Sequence, residues 1–336
     1  MAESIGTPWR FGSEQGGGMN RNRVAESAEY AAEGSCPLCG HGVVSINPLF
    51  SNILCLPGNT NSRVVGCNMC GLHFLSPYFS DEQLGNFYAT SYFTFEENNH
   101  RSEIAPVRKQ FNPPANFYEF WFRPNIDMIS AFATNSKNLL DVGAGTGEFL
   151  QEVKKKWPSL SLSGVEFSAD AAKKAEDKFG FHFAVGTLED LIACNDESFD
   201  IITLNHVLEH ILEPHKVTAS IRHLLSERGI VYVQVPMQFN YLEILQYRLK
   251  RVKPSYSVNS VHHAIFYNPS LLVRLFQMDG FELCALHLIG PRYLGKDVLD
   301  GAKKLIWSIL SRLGQCNYIE AVFIPLPVSA EKDKGQ

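Results

Sequence analysis

The sequence contains no run of about 18 apolar residues, so it offers no helix able to span a bilayer, and membrane insertion is not expected. Its start lacks the apolar stretch of a secretory signal. Residues 1–33 carry Gly16-Gly17-Gly18 among scattered charges and read as a flexible tail, partly helical from Val24 to Glu33. A basic excess is also missing: 30 Lys and Arg face 35 Asp and Glu, and the net charge of -5 argues against a general nucleic-acid binder. No internal repeat is present. The eight cysteines show no disulfide framework, because four form two C-x-x-C pairs and the others are isolated. That usage fits a reducing compartment with one metal site, and a cytoplasmic location is expected. The chain does have a 45% apolar fraction over 336 residues, enough to bury a sizeable core in one large domain with a small one, or in two medium ones.

Texture divides the chain. Residues 34–78 are rich in Cys, Gly, Asn and Pro, and residues 79–135 carry many aromatics and look mainly helical. Over 136–327 short apolar runs alternate with amphipathic stretches, the signature of a parallel sheet covered by helices on both faces. A polar tail fills 328–336. Strands are expected at Asn138–Val142, Ser161–Glu166, Phe181–Val185, Asp200–Asn205, Gly229–Val235, Phe281–Leu288 and Ile319–Ile324. Helices are expected at Ser168–Phe179, His215–Leu225, Pro269–Met278 and Val298–Leu313, with Ser168 or Asp170 as N-cap of the first.

The strand ending at Asp141-Val142 runs directly into Gly143-Ala144-Gly145-Thr146-Gly147 and then the helical Glu148-Phe149-Leu150. Glycines let the backbone turn sharply and approach a ligand, and the helix start adds free N–H groups. A dinucleotide loop needs G-x-G-x-x-G to seat a pyrophosphate, but its third glycine is Glu148 here, a carboxylate ill placed beside phosphate. The acidic Asp141 suits a cationic ligand instead. The next strand ends at Glu166, where a carboxylate can accept two ribose hydroxyls, and the third runs into Gly186-Thr187-Leu188.

Asp141 to Leu150, Gly164-Val165-Glu166 and Phe199-Asp200-Ile201-Ile202-Thr203-Leu204-Asn205 together resemble the successive motifs of class I S-adenosylmethionine-dependent methyltransferases, over roughly residues 115–290. The resemblance implies an α/β fold: a Rossmann-like, doubly wound, mostly parallel seven-stranded sheet. It implies S-adenosylmethionine as cofactor, bound by Asp141, Gly143, Ala144, Gly145, Gly147 and Asn205, with Gly143, Ala144, Gly145 and Asn205 at the methionine end. Glu166 would take the ribose, and Thr187 and Leu188 the adenine.

Cys36-Pro37-Leu38-Cys39-Gly40 and Cys67-Asn68-Met69-Cys70-Gly71 form two knuckles. Each brings two thiolates to one tetrahedral ion, and the following glycine permits the tight turn. Cys36, Cys39, Cys67 and Cys70 therefore point to a small N-terminal zinc ribbon with a structural, coordinatively closed Zn²⁺. A redox dithiol or plain buried thiols are the other readings. The order of ribbon and sheet resembles methyltransferases that modify sugars, polyketides or other small metabolites, although the stretch between the knuckles is longer than in many such ribbons.

Asn205-His206-Val207-Leu208-Glu209-His210 matches H-x-x-E-H, a metalloprotease pattern, but lies inside the ordered methyltransferase motifs. In the resembled enzymes this Glu-His faces the mouth of the site. Glu209 and His210 would orient an acceptor, or His210 would take its proton, against the alternative of a capping or packing histidine. Val261-His262-His263-Ala264-Ile265-Phe266 supplies the second histidine site, His262 and His263. The aromatic and basic stretch 237–260, with Phe239, Tyr241, Tyr247, Arg248 and Lys250, reads as a lid over the pocket or as a surface amphipathic helix. Asn112-Pro113-Pro114-Ala115 mimics the motif of amino-group DNA methyltransferases but lacks the aromatic and precedes the glycine loop. The expected activity is methyl transfer to a hydroxyl or carbon of a sugar or secondary metabolite. An RNA methyltransferase is the first alternative, although Arg63 is the only Lys or Arg between Gly34 and Tyr78. A non-catalytic ligand-binding scaffold is the second. The acceptor and the oligomeric state are not legible.

Overall fold

In the computed structural model the described residues are 35–42, 44–46, 63–78, 117–194, 197–238, 244–245, 249, 263–290 and 298–327. The tails at 1–33 and 328–336, most of the insertion at 237–260, His262 and the first part of the aromatic region therefore lie outside them.

Strand side chains alternate between faces, so a strand buried on both sides feeds two cores. Strand β4 (Asn138–Val142) sends Leu139 to one core and Leu140 to the other. Strand β7 (Phe199–Asn205) splits Ile201 from Ile202, and β8 (Leu225–Pro236) splits Ile230 and Tyr232 from Val231 and Val233. With β5 (Ser161–Glu166), β6 (Ala184–Val185), β10 (Phe281–Ile289) and β11 (Tyr318–Pro325) they form a seven-stranded sheet in the order β10-β11-β8-β7-β4-β5-β6. The pairs from β8 to β6 are parallel, and β11 runs antiparallel to both of its neighbours. This is the doubly wound, mostly parallel α/β sheet expected.

Helices α1 (Phe117–Phe132) and α2 (Glu148–Lys156) cover one face, contributing Ile126, Met128, Ile129, Phe149, Leu150 and Val153 to its core. Helices α5 (Pro214–Leu224) and α6 (Pro269–Met278) cover the other, with Val217, Ile221, Leu271, Leu272 and Leu275. Burying each such side chain is worth about 1.5–3 kcal/mol, so the two layers hold the sheet between them. Helix α3 (Ala169–Phe179) starts at Ser168, whose hydroxyl accepts from the Ala171 amide at 3.3 Å. A short α4 (Leu188–Cys194) and α7 (Val298–Arg312) are further helices among the described residues. No helix among the described residues is long and apolar enough to cross a membrane. The expected strand Phe181–Val185 shortens to Ala184–Val185. Phe181 and Phe183 stack on each other, and Phe183 presses on Gly164, where an added Cβ would lie 2.5 Å from its ring.

The cysteine region forms a second, antiparallel sheet, β1 (Val44–Ile46), β2 (Arg63–Cys67) and β3 (His73–Ser76). It is closed by β9 (Ile265–Phe266) from beyond the insertion, with His73 opposite Phe266 and Phe74 opposite Ile265. Cys36, Leu38, Val65, Leu72 and Phe74 lie in the same core as Leu272 and Phe276, so the ribbon is packed onto the α5–α6 face. His215 stitches the two units. Its Nδ1 lies 2.8 Å from Asp279 at the end of α6, and its Nε2 lies 2.9 Å from the Leu38 carbonyl inside the first knuckle. Thr218 also donates to Asp279. Replacing the ring takes a partner from the Leu38 carbonyl and leaves Asp279 with Thr218, so His215→Ala should lower stability by about 1–3 kcal/mol in chemical unfolding. Unchanged stability would show that the bridge contributes nothing.

Candidate active site

The carboxyl end of β4 is where the sheet opens. Gly143, Gly145 and Gly147 have φ of 67°, 55° and 83°, the left-handed region that side chains resist. At Gly143 an added Cβ would also lie 2.7 Å from Val207 Cγ2. The loop folds back on β5: the Gly143 and Ala144 amides donate to the Val165 carbonyl at 2.8 and 3.2 Å, and the Gly145 amide donates to Glu166 Oε2 at 2.8 Å. Glu166 Oε1 accepts from the Ser168 amide at 2.8 Å. Burial pushes the Glu166 carboxyl above its ordinary range, although amides of Ser168, Gly145 and Phe167 pull the other way.

Asp141 lies beneath the loop, 2% exposed. Its Oδ1 accepts from the Thr203 hydroxyl at 2.6 Å and from the Asn205 amide at 3.4 Å, and Asn125 of α1 donates to Asn205 Oδ1 at 3.2 Å. Burial raises the Asp141 carboxyl to about 7, against the pull of Thr203 and Asn205. Glu148, at the position of a third dinucleotide glycine, is engaged by Lys178 at 3.0 Å and by the Thr146 hydroxyl.

Asp141, Gly143, Ala144, Gly145, Glu166 and Asn205 thus converge at the ends of β4, β5 and β7. Gly147 serves as the N-cap of α2. Thr187 is turned onto Asp190, its amide at 2.8 Å and its hydroxyl at 2.9 Å from the carboxylate, so its side chain caps α4; Leu188 beside it is buried. Two neighbours lacked emphasis in the sequence. Phe167 is 48% exposed directly after Glu166, and Val185 is 56% exposed at the end of β6; an exposed aromatic next to the acidic strand end was the visible signal. Asn125 gave none, because it sits amid the aromatics of α1.

A second cluster stands on the turn after β7. His206 has φ of 56°, uncommon for a residue with a Cβ, and its amide donates to the Gln234 carbonyl at 2.9 Å. The chain then enters a 3-10 turn, Leu208–His210. Glu209 is 1% exposed. Its Oε1 lies 3.3 Å from His206 Nδ1, 3.9 Å from His210 Nε2 and 4.0 Å from His263 Nε2. The His210 and His263 rings meet at 4.8 Å between centroids. The ribbon holds this turn: the Ala264 amide donates to the Glu209 carbonyl at 2.6 Å, the Leu75 amide to the Ala264 carbonyl at 2.9 Å, and the Tyr78 hydroxyl to the His210 carbonyl at 2.7 Å. His262 lies outside the described residues.

The four ribbon cysteines form a separate group, their sulfurs all within 4.8 Å of one another. Cys36 and Cys70 are 3.6 Å apart and Cys39 and Cys67 3.5 Å, far beyond a disulfide and close to the edge of about 3.8 Å in a tetrahedron with metal–sulfur bonds of about 2.3 Å. Burial pushes the Cys36 thiol up and Cys70 to about 11. At Cys67 the amides of Cys70 and Met69 outweigh burial and hold the thiol down at about 7.

The Asp141 shift carries a stability consequence. A carboxyl whose folded pKa is raised stabilises the fold fully below its unfolded value, near 4, and that contribution is lost as pH rises to about 7. The stability of Asp141→Asn relative to the parent should therefore increase between pH 4 and 7 by no more than about 4 kcal/mol, then level off. A difference independent of pH in urea titrations would contradict the assignment.

Comparison with known proteins agrees with this geometry. A sequence model of the family described as a methyltransferase domain matches residues 116–286, just over half of the chain. The ubiquinone biosynthesis O-methyltransferase of Haemophilus ducreyi is 31% identical over 106 residues, 29% of this chain and 44% of that protein, so the chain spans under half of that relative's length. Its counterpart from Glaesserella parasuis is 29% identical over 198 residues, 54% of this chain and 77% of that protein. Among solved structures, magnesium protoporphyrin IX methyltransferase from Synechocystis PCC 6803 with bound SAH is similar at a TM-score of 0.49 and 10% identity, over 73% of this chain and 100% of that one. The match over residues 116–286, which includes the glycine loop and its flanking strands, places this chain in the class I S-adenosylmethionine-dependent methyltransferase family.

Proposed function

We propose that the protein transfers a methyl group from S-adenosylmethionine to a small-molecule acceptor, a hydroxyl or carbon of a sugar or secondary metabolite. The observation that carries this reading is the meeting of two groups on one strand and its turn. Asn205 ends β7 beside Asp141, and Glu209 and His210 follow it at once. Bound S-adenosylmethionine supplies a methyl on a cationic sulfonium.

Gly143, Ala144 and Gly145 let the methionine end approach the backbone, with Asp141 and Asn205 beneath it. The Glu166 oxygens accept the Gly145, Ser168 and Phe167 amides, so of a carboxylate's roughly four acceptor positions at least one is left for the ribose. Phe167, Val185 and Leu188 give the adenine an apolar wall, with Thr187 at its edge. On the acceptor side, His210 or His263 takes the acceptor's proton, and the charge of Glu209 stabilises the imidazolium formed. Relatives named for ubiquinone biosynthesis and, in Thermotoga maritima, for demethylmenaquinone support a small-molecule acceptor.

The four cysteines fit one structural Zn²⁺ with a closed coordination sphere, which places the ion outside the chemistry. Through Leu75, Ala264 and Tyr78 this ribbon sets the position of Glu209 and His210.

Calorimetry should show Glu166→Ala binding S-adenosylmethionine more weakly by about 1–3 kcal/mol. Unchanged affinity would remove Glu166 from the ribose role. Elemental analysis after dialysis against a mild chelator should find one zinc per chain, lost in Cys39→Ser with Cys70→Ser; a zinc-free parent would remove the ribbon ion.

A further inference from the structure

Helix α7 has one face on the sheet and one face open. Trp307 is half-buried against Gly290, just after β10, where an added Cβ would lie 2.9 Å from the Trp307 Cβ. Leu305, Ile306 and Ile309 share another face of the helix with Leu313, whose amide still donates to the Ile309 carbonyl at 3.3 Å. These four are 52–67% exposed. Single exposed apolar side chains are ordinary, but four along one helix face form a surface that water solvates poorly. The connection between β8 and β9 repeats the feature. Leu245 and Leu249 are one helical turn apart, joined by a backbone hydrogen bond of 2.9 Å, and both are exposed. These two connections hold six of the eleven exposed large apolar side chains among the described residues, so the apolar surface is concentrated rather than scattered.

Positive charge is concentrated in the same segments. Residues 237–260 and 290–317 contain nine Lys and Arg against three Asp and Glu, a net +6, whereas the rest of the chain contains 21 against 32, a net -11. Helix α7 itself carries Lys303, Lys304 and Arg312 against Asp300. Both connections are rooted at the edge of the sheet that bears the candidate site. Tyr318 pairs with Pro236 and with Ile289. The Met237 amide donates to the Asn317 carbonyl at 2.8 Å, and the Asn317 amide to the Ile289 carbonyl at 2.8 Å. Gln234 of β8 pairs with Asn205 of β7, and the His206 ring meets Tyr318 at 5.3 Å between centroids.

We propose that α7 and the Leu245–Leu249 turn dock on an anionic lipid surface. The apolar side chains would enter the boundary between headgroups and acyl chains, with the basic charge of both segments next to the lipid phosphates. No helix among the described residues is long and apolar enough to cross a membrane, so the attachment is peripheral. The pairing of apolar and basic groups selects this occupant. A second copy of the chain meeting this face across a two-fold axis would set +6 against +6. An RNA would use the basic groups and leave the apolar ones in water. A docked bilayer lies at the rim that holds Asn205 and the turn bearing Glu209, so the acceptor it favours is an amphiphile held in the membrane. That last clause rests on the proposed methyl transfer; the docking itself does not.

Flotation of the full-length protein with lipid vesicles is the test. Recovery with vesicles of phosphatidylcholine and phosphatidylglycerol in equal parts should exceed recovery with phosphatidylcholine alone, and should fall as salt is raised. Leu305→Ser with Ile309→Ser, and separately Lys303→Glu with Lys304→Glu, should each weaken partition into the mixed vesicles about tenfold or more. Thermal melting followed by circular dichroism reports that each variant is folded. No flotation by the parent, equal flotation with both kinds of vesicle, or folded variants that float like the parent overturn the proposal. A parent that does not float but forms a dimer, dissociated by Leu305→Ser with Ile309→Ser, overturns it in favour of a second copy. A parent that does not float but binds RNA, with binding lost in Lys303→Glu with Lys304→Glu alone, overturns it in favour of RNA. Calorimetry with S-adenosylhomocysteine on the same samples separates the two readings. Flotation without S-adenosylhomocysteine binding defeats the methyltransferase reading alone, and S-adenosylhomocysteine binding without flotation defeats the docking alone.

Discussion

The turn at the carboxyl end of β4 is the constraint on which the site depends. Three residues there adopt positive φ, the Gly145 amide reaches Glu166, and Val207 fills the space a side chain at Gly143 would need. This one close-packed junction joins β4, β5 and the turn after β7. The chain can approach a ligand there because the glycines have no Cβ, and Glu166 can face the same space because the loop itself satisfies part of its carboxylate. Asp141 below the loop adds a buried group whose charge is expensive without a cation nearby.

Much of this was legible in the sequence for a simple reason: it is local. Short apolar runs, the glycine spacing and Glu166 at a strand end all lie within short segments, and β4, β5, β7 and β8 appear where those runs place them, β8 starting earlier, at Leu225. Legibility failed where contacts are distant. The pairing of β3 with β9 joins residues on either side of the whole cofactor region, and two-residue strands leave no periodic trace. Asn125, Gln238 and Tyr267 gain their positions only from tertiary packing. The expected strand at Phe181–Val185 shortened because Phe181 and Phe183 are used as a stacked pair against Gly164 instead of in strand pairing.

The ribbon is more than an appendage in this arrangement. Leu38 and Leu72 are buried in the core of the α5–α6 face, His215 reaches into the first knuckle, and a relay of backbone hydrogen bonds runs from Leu75 through Ala264 to Glu209. The 3-10 turn bearing Glu209 and His210 is therefore held from two sides, by β7 and by the ribbon sheet. Positioning to within a fraction of an ångström matters for reacting groups, and rigid elements provide it better than a free loop. The cysteine ribbon and the Glu209–His210–His263 cluster are in this sense one structural device, with the glycine loop at the end of the neighbouring β4.

The most direct measurement is a crystal structure with S-adenosylhomocysteine bound. The account predicts both ribose hydroxyls on Glu166, the amino acid end over Gly143 to Gly145, and the sulfur directed toward the space in front of Glu209, His210 and His263. A ligand seated elsewhere, or one whose sulfur points away from that cluster, would contradict it.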